Sequence, residues 1–151
     1  MMPTLRRYLP IRSPSLRAFT VAAALSCTAF ASLAQPYGVG VYTSPVKSFS
    51  TASYWLVGQG GLVMLDTQFL PKEGLEALQK AQTATGKKAS HALVLHPNPD
   101  KFNGTAAYQA LGVQVLTAEQ VAREIPAVHV IRLGWFADDF KPDYPLWAHD
   151  C

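Results

Sequence analysis

Three side chains able to hold a cation or move a proton, His96, Asn98 and Asp100, alternate with Pro97 and Pro99 directly after the apolar run Ala92-Leu93-Val94-Leu95. In an extended chain successive side chains point to opposite faces, so the three polar groups fall on one side and the prolines on the other. Each proline fixes φ at about −65° and stiffens the segment. Four apolar residues in a row read as a strand buried on both faces, and convergent polar groups at the carboxyl end of such a strand are where an α/β sheet holds its ligand. His96, Asn98 and Asp100 are therefore the candidate ligand site.

The elements that must position these groups follow from pattern. Gly38-Val39-Gly40-Val41-Tyr42 is a short strand candidate. Ser53 to Val57 and Leu62 to Asp66, joined by Gly58-Gln59-Gly60-Gly61, read as a β-hairpin. Those glycines are not a phosphate loop, because neither the Lys-Ser/Thr pair nor a helix follows them. Pro71 to Thr85 has helical spacing at Leu75, Leu78 and Ala81, with Pro71 in the first turn and Gly86 as the stop. The prolines make 96–104 a loop. Thr105 to Leu111 is a short helix ended by Gly112, and Val113 to Leu116 a strand. Thr117-Ala118-Glu119-Gln120 reads as a capping box opening a helix that Pro126 interrupts and that resumes toward Phe136. Asn103 is expected to cap the helix after it, a role preferred to glycosylation at Asn103-Gly104-Thr105. Strands alternating with helices after an antiparallel start imply an α/β mixed sheet with an N-terminal hairpin and packed helices.

The segments Ser53–Val57, Gly61-Leu62-Val63-Met64-Leu65-Asp66-Thr67, Ala92–His96 and Asp100-Lys101-Phe102-Asn103-Gly104, in that order and with a helix between the second and third, resemble the N-terminal half of the metallo-β-lactamase-fold superfamily. The resemblance covers Gly38 to Ile125. It implies a metal-dependent hydrolase in which a loop His-x-His-x-Asp-His follows the strand. Carried over, the first His is His96, the second is Asn98, the Asp is Asp100 and the last His is Lys101. The metal-binding loop is therefore degenerate: imidazole and carboxylate are good zinc ligands, the Asn98 carboxamide is a weak one, and the Lys101 ammonium has no lone pair to give. The resemblance thus leaves two chemistries open. His96 and Asp100, with Asn98 as a weak third, could bind a metal, with zinc the candidate and no cofactor certain; alternatively Lys101 supplies a fixed positive charge to Asp100 and to Asp66 where a zinc would sit, since paired carboxylates need a nearby cation to stay ionised. Asp66 matches the aspartate that supports that loop, where it could orient His96 or pair with Lys101. Domains of this family usually exceed about 200 residues, so a half-domain is expected. Of the other histidines, His129 reads as a helix-face residue, His149 as part of an irregular tail, and His91 has no role.

Composition sharpens this. The 151 residues carry 13 Lys+Arg and 10 Asp+Glu, a formal net charge of +3. Arg6, Arg7, Arg12 and Arg17 precede the apolar run from Phe19 and no acidic residue comes before Asp66, which is the build of a secretory leader. Removing residues 1–34 takes four arginines and turns the balance to −1. No case for nucleic-acid binding survives from charge. The Phe19–Leu33 run falls short of the ~20 residues of a spanning helix, so export to the periplasm or beyond, with no membrane attachment after cleavage, is expected. Cys27 leaves with the leader and Cys151 is last, so no internal disulfide remains. The organisation is then 1–34 signal peptide, 35–137 partial domain and 138–151 irregular tail.

Three functions are consistent with this sequence: a relic hydrolase that has lost its dinuclear zinc site, a working zinc hydrolase seen in part, and a non-catalytic periplasmic module. The last would bind a small molecule through aromatics such as Tyr54, Trp55, Phe69 and Phe102. A half-domain would also leave a sheet face uncovered and open to self-association.

Overall fold

The computed structural model describes residues 38–148 and residue 151. The expected leader at 1–34, with Cys27, and His149 lie outside the described residues. Strands β1 (Gly38–Thr43), β2 (Ala52–Gly58), β3 (Gly61–Leu65), β4 (Ala89–Val94) and β5 (Gln114–Thr117) form one sheet in the order of the chain. The first three are antiparallel neighbours, and β3, β4 and β5 run parallel. Helix α1 (Pro71–Thr85) crosses from β3 to β4; α2 (Pro99–Phe102) and α3 (Thr105–Ala110) cross from β4 to β5; α4 (Glu119–Phe136) follows. This is an α/β fold with a mixed sheet, a leading hairpin and packed helices.

Local chemistry accounts for the boundaries. Pro71 opens α1, where a missing N–H costs nothing, and Gly86 closes it in the left-handed region at φ 66°. One sheet face buries Trp55, Leu62, Met64, Ala92, Val94 and Val115 against Ala77, Leu78 and Ala81 of α1 and Tyr108 of α3. A second cluster joins Phe69, Leu70 and Tyr144 to Leu133, Phe136 and Phe140, so the turn-rich segment after α4 packs on the protein. Among the described residues no helix is long and apolar enough to cross a membrane.

Among the described residues no helix packs on the opposite sheet face. The register aligns Val41, Tyr54, Leu65, Leu93 and Leu116 in one row across all five strands. Val39, Leu56, Val63, His91 and Gln114 form the next row. Neither row holds a charged residue apart from what His91 can carry. The Ala92–Leu95 run is accordingly buried on one face only: Ala92 and Val94 point inward, whereas Leu93 is half-buried and Leu95 is exposed. An all-apolar run does not reveal whether a second layer lies on its far side.

Four other expectations need correction. Residues 96–104 are not all loop, because Pro99 sets the first position of a one-turn helix, α2. The capping box does not form: Thr117 stays in β5 and its hydroxyl donates to Val94 O at 2.7 Å. Asn103 does not cap the helix after it, whose N-cap is Gly104; it ends α2 instead, and its buried amide donates to Phe69 O at 2.9 Å. Pro126, finally, does not interrupt α4. Val121, Ile125 and His129 bury one continuous stripe of that helix, which outweighs the lost backbone bond.

Candidate functional site

The carboxyl ends of β3 and β4 are stapled by Asp66. Its N–H donates to Leu93 O at 2.8 Å, and its Oδ1 accepts the Leu95 N–H at 3.0 Å. Thr67 then grips α2: its N–H and its hydroxyl both donate to Lys101 O, at 2.7 and 2.9 Å. Gly104 lies so close beneath that a Cβ there would stand 2.0 Å from Thr67 O. The result is a rigid corner in which Lys101 Nζ sits 3.1 Å from Asp100 Oδ2 and 3.5 Å from Asp66 Oδ2.

Burial pushes the Asp66 carboxyl above its usual range, against the Leu95 N–H and the Lys101 charge that pull it down. Burial works against the Lys101 ammonium, but Asp100 and Asp66 together push its pKa up, so it stays charged throughout the neutral range. Two negative groups thus share one fixed cation.

Beside this corner lies a cavity of about 350 Å³ whose walls include Phe49, Phe69, Phe136, Asn98, Asp100, Lys101 and Arg132. The three phenylalanine rings pack edge-on or tilted at centroid distances of 5.1–5.7 Å. Arg132 makes no ion pair among the described residues; its guanidinium lies 4.2 Å from the Trp135 ring centroid. Phe49 and Ser50 near the cavity, and Asp66 and Gln68 after β3, all have positive φ without being glycine. Such strain persists only where surrounding bonds over-determine it. Here Gln68 Nε2 donates to Thr51 O and to Ser53 Oγ, and Ser48 Oγ donates to Glu73 Oε1, fixing the 44–51 segment that presents Phe49.

Glu73 is buried with Oε2 unpartnered among the described residues, and burial raises its pKa despite the Ser48 hydroxyl. A raised carboxyl pKa contributes stability below the unfolded value, and that contribution is lost as pH rises through the folded value. Wild type should therefore lose stability relative to Glu73→Gln as pH is raised from 5 to 8. Urea melts at both pH values check this; a gap between the two proteins that stays constant with pH would refute it.

The structure brings Asp66, Asp100 and Lys101 together and sets Asn98 beside them on the cavity wall. His96 does not join them; it is exposed and, among the described residues, makes no hydrogen bond, ion pair or ring contact. Strand alternation fails because the chain is helical from Pro99 on, so Asp100 projects from a helix. His91 lies on the open sheet face, and His129 is buried in α4 rather than merely resting on its surface. Of the four proposed aromatics only Phe69 lines this cavity; Trp55 and Phe102 are core, and Tyr54 is on the open face. Nothing in the sequence pattern marks Phe136 or Arg132, whereas Phe49, flanked by Ser48 and Ser50 in a turn, carries a usable signal. Among the described residues no group of three or more His, Cys, Asp or Glu is placed to hold a metal. An ammonium at contact distance from both carboxylates repels a cation where zinc would bind, so this donor set does not fit zinc.

No protein-family model and no curated protein matches the sequence. Solved structures do. A metallo-β-lactamase from Erythrobacter litoralis, with β-mercaptoethanol in its active site, superposes on 64% of this chain and 43% of its own at TM-score 0.52 and 17% identity. One from Pontibacter korlensis covers 66% and 44% at TM-score 0.51 and 22% identity. The chain has part of the metallo-β-lactamase fold. It spans less than half the length of these metallo-β-lactamases, and the likeness is one of architecture. In this metallo-β-lactamase-fold chain the Asp66–Lys101–Asp100 cluster occupies the carboxyl ends of neighbouring parallel strands, where α/β sheets carry their sites.

Proposed function

We propose that this is an exported metallo-β-lactamase-fold protein whose dinuclear zinc site has given way to a fixed ammonium, and that it binds a small molecule instead of hydrolysing one. The observation that carries this reading is Lys101 Nζ within 3.1 and 3.5 Å of two carboxylates. With those charges mutually engaged, Arg132 is the cation left for a ligand, and the phenylalanine walls suit an apolar ring. An aryl carboxylate has both features. The mature chain should retain well under one zinc per ten molecules after dialysis. Phenylacetate should raise its Tm equally with and without a chelator, and Arg132→Ala should abolish the shift. Near-stoichiometric zinc, or a ligand shift that needs metal, would sink the proposal.

The coverage of less than half of the solved metallo-β-lactamases favours a second reading, in which His96 and Asp100, with Asn98, hold one metal in a protein completed by further sequence or a second chain. The same zinc measurement separates the two. A second copy is also the occupant we propose for the open sheet face: its two rows hold no Asp, Glu, Lys or Arg, so a two-fold pairing brings no such like charges together, and sheets pack face to face at about 10 Å. Sedimentation should show a dimer at high concentration that Tyr54→Lys disperses; a wild-type chain monomeric at every concentration would rule this out.

A further inference from the structure

The charges beside the phenylalanine-walled cavity do not cancel within the protein. Asp66 and Asp100 supply two negative charges and Lys101 one positive, so their corner is left one negative charge in excess. Lys101 engages Oδ2 of Asp100, whose side chain is 32% exposed and borders the cavity. Its other oxygen, Oδ1, has no partner among the described residues. Asn98 borders the same cavity. Asparagine is favoured at a helix N-cap because its side-chain oxygen accepts a backbone N–H of the first turn. Asn98 is the N-cap of α2 yet makes no such bond, and its carboxamide makes no other hydrogen bond among the described residues. Two acceptor oxygens on this wall therefore lack donors, while α4 contributes Arg132, a cation with no ion pair among the described residues.

An aryl carboxylate satisfies Arg132 and the phenylalanine rings but brings a further negative charge toward Asp100 and leaves both acceptors unserved. An amine without a carboxylate has the converse fault. We propose that the ligand of this cavity is an aromatic α-amino acid, with its carboxylate on Arg132, its ammonium on Asp100 and Asn98, and its ring among Phe49, Phe69 and Phe136. An ammonium has three donors and no acceptor, so it serves both oxygens at once. A guanidinium gives a carboxylate two parallel N–H bonds. The volume of about 350 Å³ lies at the small end of ligand sites, which suits a single amino acid. This inference rests on the aryl-carboxylate reading of the same cavity and adds the ammonium, which the excess negative charge of the corner calls for.

The test titrates the whole chain by calorimetry with L-phenylalanine, phenylacetate and phenethylamine, which share the ring and carry both charges, the negative one or the positive one. Phenylalanine should bind at least about tenfold more tightly than either of the others. Asp100→Asn should bring phenylalanine and phenylacetate within about twofold of each other while phenylacetate still binds. Arg132→Ala should instead bring phenylalanine down to the level of phenethylamine. Phenylacetate that binds wild type as well as phenylalanine does overturns this inference and leaves the aryl-carboxylate reading standing, whereas failure of all three probes to bind overturns both. Phenethylamine equal to phenylalanine, or a phenylalanine preference that survives in Asp100→Asn, also overturns the inference. If Asp100→Asn fails to fold, Asn98→Ala takes its place. It should weaken phenylalanine at least about threefold and phenylacetate less than about twofold; equal losses overturn the ammonium site.

Discussion

Gly104→Ala is expected to lower the stability of the chain by about 3 kcal/mol or more, enough to unfold much of it at 25 °C. The reason is contact, not backbone freedom. Gly104 has φ −82°, open to any residue, yet an added Cβ would stand 2.0 Å from Thr67 O and 3.1 Å from Thr67 C. Both are backbone atoms, and Thr67 cannot retreat without releasing its paired bonds to Lys101 O and shifting Asp66. Gly86→Ala is the control. There φ is 66° with open space around the position, so the cost should be about 1 kcal/mol. Urea denaturation of both variants decides it, and a loss for Gly104→Ala no greater than for Gly86→Ala would show that the corner is not rigid.

Lys101→Met should cost about 2 kcal/mol at neutral pH, less than the loss of one partner from a fully buried pair because Lys101 and Asp100 are partly exposed. The variant leaves Asp66, 8% exposed, facing Asp100 with no cation between them. Lowering the pH protonates the carboxylates and removes the uncompensated charge, so the gap between wild type and variant should narrow toward acid. Adding Asp66→Asn to Lys101→Met should recover part of the loss, giving a coupling energy in a double-mutant cycle. Strict additivity of the two changes, or a gap that widens in acid, would show that Lys101 compensates nothing.

What could be read in the residues was local. The Gly58–Gly61 turn gave the hairpin, and Pro71 with Gly86 bracketed α1, because each of these signals acts within a few residues of its effect. Asp66, Asp100 and Lys101 stood out by chemical type, but their meeting depends on a backbone corner made by Thr67 and Gly104, which no periodicity encodes. Alternation placed His96 with Asp100 and failed at the onset of α2. The cavity walls were hardest to foresee: Phe49 comes from a turn before β2 and Phe136 from the last residue of α4, and only tertiary packing joins them. Likewise, the half-exposure of β4 depends on what lies across the sheet rather than on its own apolar run.

The agreement between strand order and chain order has a consequence for how the protein is made. Every strand pairs with the one synthesised just before it, and no later segment has to thread between strands already joined. The β2–β3 hairpin can form as soon as it leaves the ribosome, and β4 and β5 then each add to a finished edge once their crossover helices are long enough to pack. Loop-closure entropy is met in small instalments. Removing β5 and everything after it would then strip the last pairing and leave the earlier ones standing, so that nascent chains of increasing length should gain protease protection strand by strand from the hairpin outward.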